Sequence, residues 1–217
     1  MIFRWLCKLL FPPKCVLCKS LLTKNETDFC TTCHQNAPEC EKSRFRFSFL
    51  AGWAAVWYYK DTVRSSILRY KFYGKRHYAP AYGRRLALKL QADGLDNFDI
   101  LTFVPISSLR KLVRGYDQVA LLADAVGAEL GVTPQRTLRK IRNTPPQSGI
   151  KDPARRRANV LGAYVALSPQ VLRGKKILLL DDIITTGATA SECARVLLTA
   201  GAKEVYCAAL AVKNPKK

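Results

Sequence analysis

The 217 residues contain no Gly-x-Gly-x-x-Gly and no Gly-x4-Gly-Lys-Ser/Thr. The first absence removes support for a dinucleotide fingerprint and the second excludes a P-loop. Histidine is scarce: there are two, His34 and His77, and the sequence places neither as a general base. No serine or cysteine stands in a nucleophile constellation; Cys193 and Cys207 fall on apolar patterns and read as core. Long hydrophobic runs are missing too. Arg4 and Lys8 interrupt the apolar stretch from Met1 to Phe11, leaving it far too short for a secretory h-region or a spanning helix. A cytoplasmic location is the expectation. Acidic residues are few, 16 against 36 Lys+Arg, for a formal net charge of +20. That excess favours phosphate-rich partners without specifying one.

The cysteines are unevenly spread, with six of the eight in residues 1–40. In the cytosol, paired cysteines are metal ligands more often than disulfides. Cys15-x2-Cys18 and Cys30-x2-Cys33, eleven residues apart, are two hooks that can wrap their thiolates around one tetrahedral zinc. The segment between them carries Thr23, Lys24, Asn25, Glu26 and Asp28. It is too polar to build a core, so a metal staple has a physical task. Four thiolates leave no open position, which makes such a zinc structural. His34 and Cys40 lie close by, as bystanders or as substitute ligands, and Cys7 has no partner at hook spacing. Residues 1–13 read as a short amphipathic helix ended by Pro12-Pro13, packed on the rest of the chain or touching a membrane surface or partner. Residues 41–48 read as a linker. The expected division is 1–42, short helix and zinc ribbon, and 49–217, one larger α/β domain.

That domain turns on residues 177–189. Ile177 to Leu180 are an unbroken aliphatic run, suited to a strand buried on both faces of a parallel sheet. Asp181 and Asp182 follow, then two aliphatics, then Thr185-Thr186-Gly187-Ala188-Thr189. A helical pattern begins at Ala190, with Cys193, Ala194 and Leu197 on one face. Backbone N–H groups and hydroxyls of the small-residue loop can hold a phosphate at the start of that helix, where the dipole also favours negative charge. The carboxylates would repel a phosphate but suit neighbouring hydroxyls. A ribose 5-phosphate satisfies both halves.

The remaining order is consistent with such a domain. Residues 49–59 read as a strand, and Asp61 as the cap of a helix to about Tyr70. A second helix covers about 77–91, and a strand 98–105. Residues 60–89 hold nine basic residues with Tyr70, Phe72, Tyr73, Tyr78 and Tyr82 interleaved. Cations along a phosphate backbone and rings stacked on bases suit single-stranded nucleic acid; the alternative is core rings under a solvated cationic face. Residues 106–114 read as a basic loop after a strand, with Arg110, Lys111 and Arg114 placed for a pyrophosphate. A helix opens at 114–118 and runs to Leu130. Strands are expected at 137–141, 161–167 and 204–212. Residues 142–159, with two adjacent prolines and Arg155, Arg156 and Arg157, read as a mobile basic loop acting as a hood over a sugar site.

The stretch 177–189 resembles the phosphoribosyl pyrophosphate (PRPP) motif of type I phosphoribosyltransferases. The chain as a whole resembles the ComF competence family: Leu-Phe-Pro-Pro-x-Cys-x2-Cys near the start, the second hook, Val104-Pro105, Arg114-Gly115-Tyr116-x-Gln118, Thr144-Pro145-Pro146-Gln147-Ser148, Arg155 to Arg157 with Asn159, and the PRPP motif. Where the family has Asn after the aromatic residue, this chain has Asp117. The resemblance implies a type I phosphoribosyltransferase-like parallel sheet flanked by helices, with a small N-terminal zinc ribbon. It implies Mg²⁺ together with PRPP, and Asp181 and Asp182 on the ribose hydroxyls. It also implies a role in natural transformation, moving single-stranded DNA inward beside a helicase partner. Two functions follow: a PRPP binder acting in DNA uptake, or an enzyme transferring the phosphoribosyl group to an unknown acceptor.

Overall fold

An unbroken aliphatic run needs cover on both faces, and Ile177 to Leu180 have it, all four fully buried inside a parallel sheet. The computed structural model describes residues 12–41, 46–144 and 152–213. The expected N-terminal helix therefore lies outside the described residues, as do positions 42–45 of the linker and 145–151 of the expected hood loop. In chain order the elements are α1 (Thr31–Asn36), β1 (Gly52–Tyr58), α2 (Asp61–Phe72), α3 (Ala79–Asp93), β2 (Ile100–Phe103), α4 (Ser108–Arg114), α5 (Gln118–Leu130), β3 (Leu138–Lys140), α6 (Pro153–Val160), β4 (Tyr164–Ala166), α7 (Pro169–Leu172), β5 (Lys176–Ile184), α8 (Ala188–Thr199) and β6 (Glu204–Val212). The main sheet runs β1-β6-β5-β2, parallel throughout. It is the helix-flanked parallel sheet of a type I phosphoribosyltransferase-like fold.

Side chains alternate across a strand, and β5 feeds two cores accordingly. Leu178 and Leu180 join Ile67, Tyr82 and Leu122 beneath α2, α3 and α5. Ile177 and Leu179 join Cys193, Ala194 and Leu197 of α8. The helix α5, reached from β2, thus lies on one face, and α8, reached from β5, lies on the other. Neighbouring strands whose helices leave to opposite faces open a crevice at their carboxyl ends. Here that crevice lies between β2 and β5. On the first face α3 and α5 approach closely because Gly83 has no side chain; a Cβ there would meet Ala125.

The cysteine hooks share the first core. Cys15, Val16, Leu17, Cys30 and Cys33 cluster with Trp57 and Tyr82. Polar contacts fix the seam: Arg84 forks onto Asp28 with two 2.8 Å bonds. Cys40 N donates to Val56 O at 2.9 Å and Tyr58 N to Pro38 O at 2.7 Å, along the free edge of β1.

Several expectations change. Of the five aromatics in 60–89, Tyr70, Tyr78 and Tyr82 are buried, packed edge to face with one another; Phe72 and Tyr73 are exposed. Arg69, Lys71, Arg84, Arg85 and Lys89 have protein partners. The composition of that segment is mainly a packed helix pair, since helical spacing turns the tyrosines inward. Asp61 does not cap α2: Lys60 holds the cap position without a side-chain bond, and Asp61 is the first helical residue. Residues 106–114 are not a loop. Ser107 Oγ accepts from Arg110 N at 3.4 Å to start α4, and Gly115, at φ 79°, ends it. The helix expected from 114–118 therefore starts afresh at Gln118, with Asp117 Oδ1 accepting from Val119 N and Ala120 N at 3.0 and 3.1 Å. Asp and Asn both cap helices well, so Asp117 costs the fold nothing. β3 and β4 pair antiparallel as a separate two-stranded sheet packed over α8, not as strands of the main one. The second half of the expected loop is α6, capped by Asp152 Oδ1 on Ala154 N at 2.9 Å. No helix among the described residues is long and apolar enough to cross a membrane.

Candidate functional site

The crevice owes its floor to unequal pairing of β5. β2 follows it only to Phe103↔Leu180, whereas β6 follows it to Ile184↔Val212. Asp181 and Asp182 are the first residues beyond β2, although the strand itself runs on to Ile184 instead of stopping before them. Alternation then sends the two carboxylates to different surroundings.

Asp182, on the α2/α5 face, is anchored through both oxygens. Its Oδ1 accepts from Lys71 Nζ at 2.9 Å and its Oδ2 from Gln118 Nε2 at 2.6 Å. The Gln118 carbonyl accepts from Tyr70 at 2.6 Å, and Arg114 donates to Gln118 Oε1. The Arg114 guanidinium stacks over Phe72 at 4.9 Å. Asp181, 9% exposed, accepts a bond from Asp182 N at 2.8 Å. Burial first, and the charge of Asp182 second, push its carboxyl up to about 8. On that side burial and the nearby Arg110 bring Lys140 down to about 8, with its ammonium 5.3 Å from the Tyr164 ring.

Residues 183–190 wall a small open pocket with Asp181 at its edge, about 230 Å³ counting the mouth. α8 begins at Ala188, two residues earlier than expected, directly after Gly187 at φ 75°. The first N–H groups of such a helix lack partners within it. Thr186 Oγ1 is buried with no hydrogen-bond partner among the described residues. A Cβ on Gly187 would run into the ring of Phe47, which itself sits edge-on to Trp53 at 5.3 Å. Residue 47 is therefore not a spacer in a linker; its apolar ring seals the back of the loop.

The basic candidates divide. Arg110 and Arg114 border the crevice, Arg110 donating to Thr144 O at 2.8 Å. Lys111 is exposed on α4. The three arginines of α6 do not converge: Arg155 is exposed with Asp152 3.9 Å away, Arg157 is exposed, and Arg156 is buried. A helix separates consecutive side chains around its axis, which a loop reading could not anticipate. α6 leans on α8, where Glu192 accepts from Gly162 N at 2.8 Å and from Arg195.

Among the described residues one cluster can hold a metal ion: Cys15, Cys18, Cys30 and Cys33, with sulfurs all within 4.8 Å of one another. Cys18 Sγ and Cys30 Sγ are 3.6 Å apart, close to the roughly 3.8 Å that tetrahedral zinc–sulfur bonds imply. His34 and Cys40 stand outside this cluster; Cys40 is buried beside Phe47.

Lys71, Gln118, Phe47 and Lys140 were not singled out as site residues from sequence. Lys71 carried a signal: it continues the i, i+4 spacing of Val63 and Ile67, putting a charge on the core-facing side of α2. Gln118 does the same ahead of Leu122 and Val126. Phe47 and Lys140 carried none, because their roles depend on contacts with α8 and β4.

The sequence is similar to known proteins. The family described as phosphoribosyl transferase domain matches residues 120–217. Competence protein ComFC of Bacillus subtilis (strain 168) is 29% identical over 196 residues, covering 86% of this chain and 78% of that protein. Competence protein ComFC of Streptococcus pneumoniae is 27% identical, covering 88% and 96%. DNA utilization protein YhgH of Salmonella typhimurium is 26% identical, covering 90% and 96%. Among solved structures, the glutamine PRPP amidotransferase of B. subtilis aligns with 64% of this chain at 21% identity and a TM-score of 0.44; the chain spans 30% of that protein's length. With competence and DNA utilization proteins similar to it along nearly its whole length and a phosphoribosyl transferase domain match from residue 120 onward, the chain is similar to the ComF family.

Proposed function

We propose that this protein binds PRPP in the crevice between β2 and β5 and acts in DNA uptake during natural transformation. The observation that carries the reading is the buried, unpartnered Thr186 hydroxyl at the head of α8, in a pocket edged by a buried carboxylate. An anion there would receive that hydroxyl and the free N–H groups of the helix start. In this reading Thr185, Thr186, Gly187, Ala188 and Thr189 hold the 5-phosphate. Asp181 accepts from a ribose hydroxyl, and Asp182 keeps lone pairs for another beside Lys71 and Gln118. Arg110, Lys111 and Arg114 face the pyrophosphate; of the hood arginines, Arg155 and Arg157 are free to approach from solvent. Mg²⁺, when bound, neutralises charge on the pyrophosphate, and the buried Asp181 carboxylate is the donor that fits that need. Zinc fits the four-cysteine cluster, whose sulfur donors and spacing suit it.

Single-stranded DNA is the proposed macromolecular ligand, supported by the +20 charge and by the exposed Phe72 and Tyr73 next to Lys75, Arg76 and Arg114. A helicase partner in the cytoplasm completes the reading. The intact acidic pair favours a second one, transfer of the phosphoribosyl group to an unknown acceptor, with electrostatic stabilisation by these cations as its main device.

The test is PRPP binding and pyrophosphate release with Mg²⁺, with and without single-stranded DNA and a panel of nucleobases. Binding that disappears in Thr186→Val and in Asp181→Asn supports the site, and unchanged affinity in both overturns it. Acceptor-dependent release selects the enzyme. DNA affinity that ignores salt between about 50 and 200 mM contradicts phosphate contacts.

A further inference from the structure

α2 joins two places that lie far apart in sequence. In its middle, Ser66 Oγ donates to Val16 O at 2.5 Å, and Arg69 Nη2 donates to Val16 O and Leu17 O at 3.0 and 2.7 Å. Val16 and Leu17 are the two residues between Cys15 and Cys18, so these bonds grip the first hook itself. At its end, Tyr70 and Lys71 take hold of the crevice: Tyr70 Oη donates to Gln118 O, and Lys71 Nζ to Asp182 Oδ1. Gln118 holds the other Asp182 oxygen. Three consecutive residues of one helix thus hold both the ribbon and the acidic pair.

Arg69 makes this connection stiff. Its Nε is buried with no partner among the described residues, while the rest of the half-buried guanidinium is held by the two hook carbonyls and lies 6.0 Å from the Tyr78 ring. A hook that opens withdraws both carbonyls from a half-buried guanidinium whose Nε is already unpartnered, which costs those charge-assisted bonds. α2 must then shift, and Lys71 shifts with it.

We propose that Lys71 is a positioning residue for the Asp182 carboxylate and that the four-cysteine ribbon sets its place through α2. Metal occupancy of the ribbon thereby controls how the crevice receives its ligand. The ligand half of this proposal rests on the PRPP reading above.

The experiment uses the full chain with its metal. Calorimetric affinity for PRPP with Mg²⁺ is compared in the wild type, Arg69→Met, Lys71→Met, Lys71→Arg and the double Met variant. Each single Met variant should weaken binding by roughly tenfold or more. The double variant should be no weaker than Lys71→Met, and Lys71→Arg should retain most of the affinity. Losses that add in the double variant overturn the proposal. If the wild type does not bind PRPP, the reading of the ligand has failed, and the coupling is judged separately by hydrogen exchange in Arg69→Met. Faster exchange confined to residues 70–72, 118–121 and 181–183 supports it. No acceleration, or a uniform one across the chain, overturns it.

Discussion

The two faces of β5 treat adjacent carboxylates in opposite ways. On the α2/α5 face, Asp182 meets an ammonium and an amide, and these are tied in turn to Tyr70 and Arg114. On the α8 face, Asp181 is equally buried, has no cation in hydrogen-bond contact among the described residues, and is pushed toward its neutral form. Asp182 is anchored by side chains on both oxygens and keeps only its remaining lone pairs; Asp181 has no side-chain anchor among the described residues and suits something that brings hydroxyl donors or positive charge. The same contrast extends outward. The first face is braced by the cysteine ribbon, and the second ends in a pocket with an orphan hydroxyl. A shared Asp-Asp motif therefore contains two different chemical tasks, divided by strand alternation.

The largest expected effect comes from removing the brace. Cys15→Ser with Cys30→Ser should lower Tm by roughly 10 °C or more and release metal, read by calorimetry and elemental analysis, because the polar ribbon cannot otherwise keep its place in the core. Normal stability without metal would break the comparison on the first face. Gly187→Ala attacks the second. It forces a side chain into a left-handed position and into Phe47, so a loss of about 2–4 kcal/mol in chemical denaturation is expected, together with loss of PRPP binding.

Lys71→Met should cost about 3 kcal/mol, since it strands a buried Asp182 beside Gln118. A loss below about 0.5 kcal/mol would mean that the two carboxylates are not held differently. Asp181→Asn sharpens the contrast by going the other way. The folded-state value of Asp181 is raised, so its contribution to stability is complete below about pH 4 and is lost as pH climbs through about 8. The ligand-free Asn variant should match the wild type near pH 4 and exceed it increasingly toward pH 8, read as a Tm difference that grows with pH. A stability difference that does not change with pH would contradict the burial of Asp181. The smallest effect is expected for Arg155→Ala, within about 0.5 kcal/mol, because Arg155 projects from α6 into solvent with only a distant Asp152.

Much of the site was legible because its signals are local. The run Ile177–Leu180, the acidic pair and the Thr-Thr-Gly loop are contiguous, and a strand–loop–helix unit needs little beyond them. The two hooks were legible for the same reason: the four thiolates come from two short segments. The structure departs from the sequence pattern where short-range caps decide the conformation. Ser107 and Gly115 bracket α4, and Asp152 starts α6, so two segments whose basic composition suggests loops are short helices. Composition in 60–89 leaves a nucleic-acid surface and core rings both open; the fold turns Tyr70, Tyr78 and Tyr82 inward and pairs five of the nine basic residues.

By itself the sequence determined the two-core strand, the loop-to-helix turn after the acidic pair and the four-thiolate cluster, since each depends on one or two short segments of chain. Only the tertiary structure decided that Lys71 and Gln118 belong to Asp182, that Phe47 backs Gly187, and that the ribbon reaches the acidic pair through one helix. Those pairings join residues 50 to 140 positions apart, or join separate faces of a sheet. No local pattern encodes them, because the energy that selects them comes from burying several elements together.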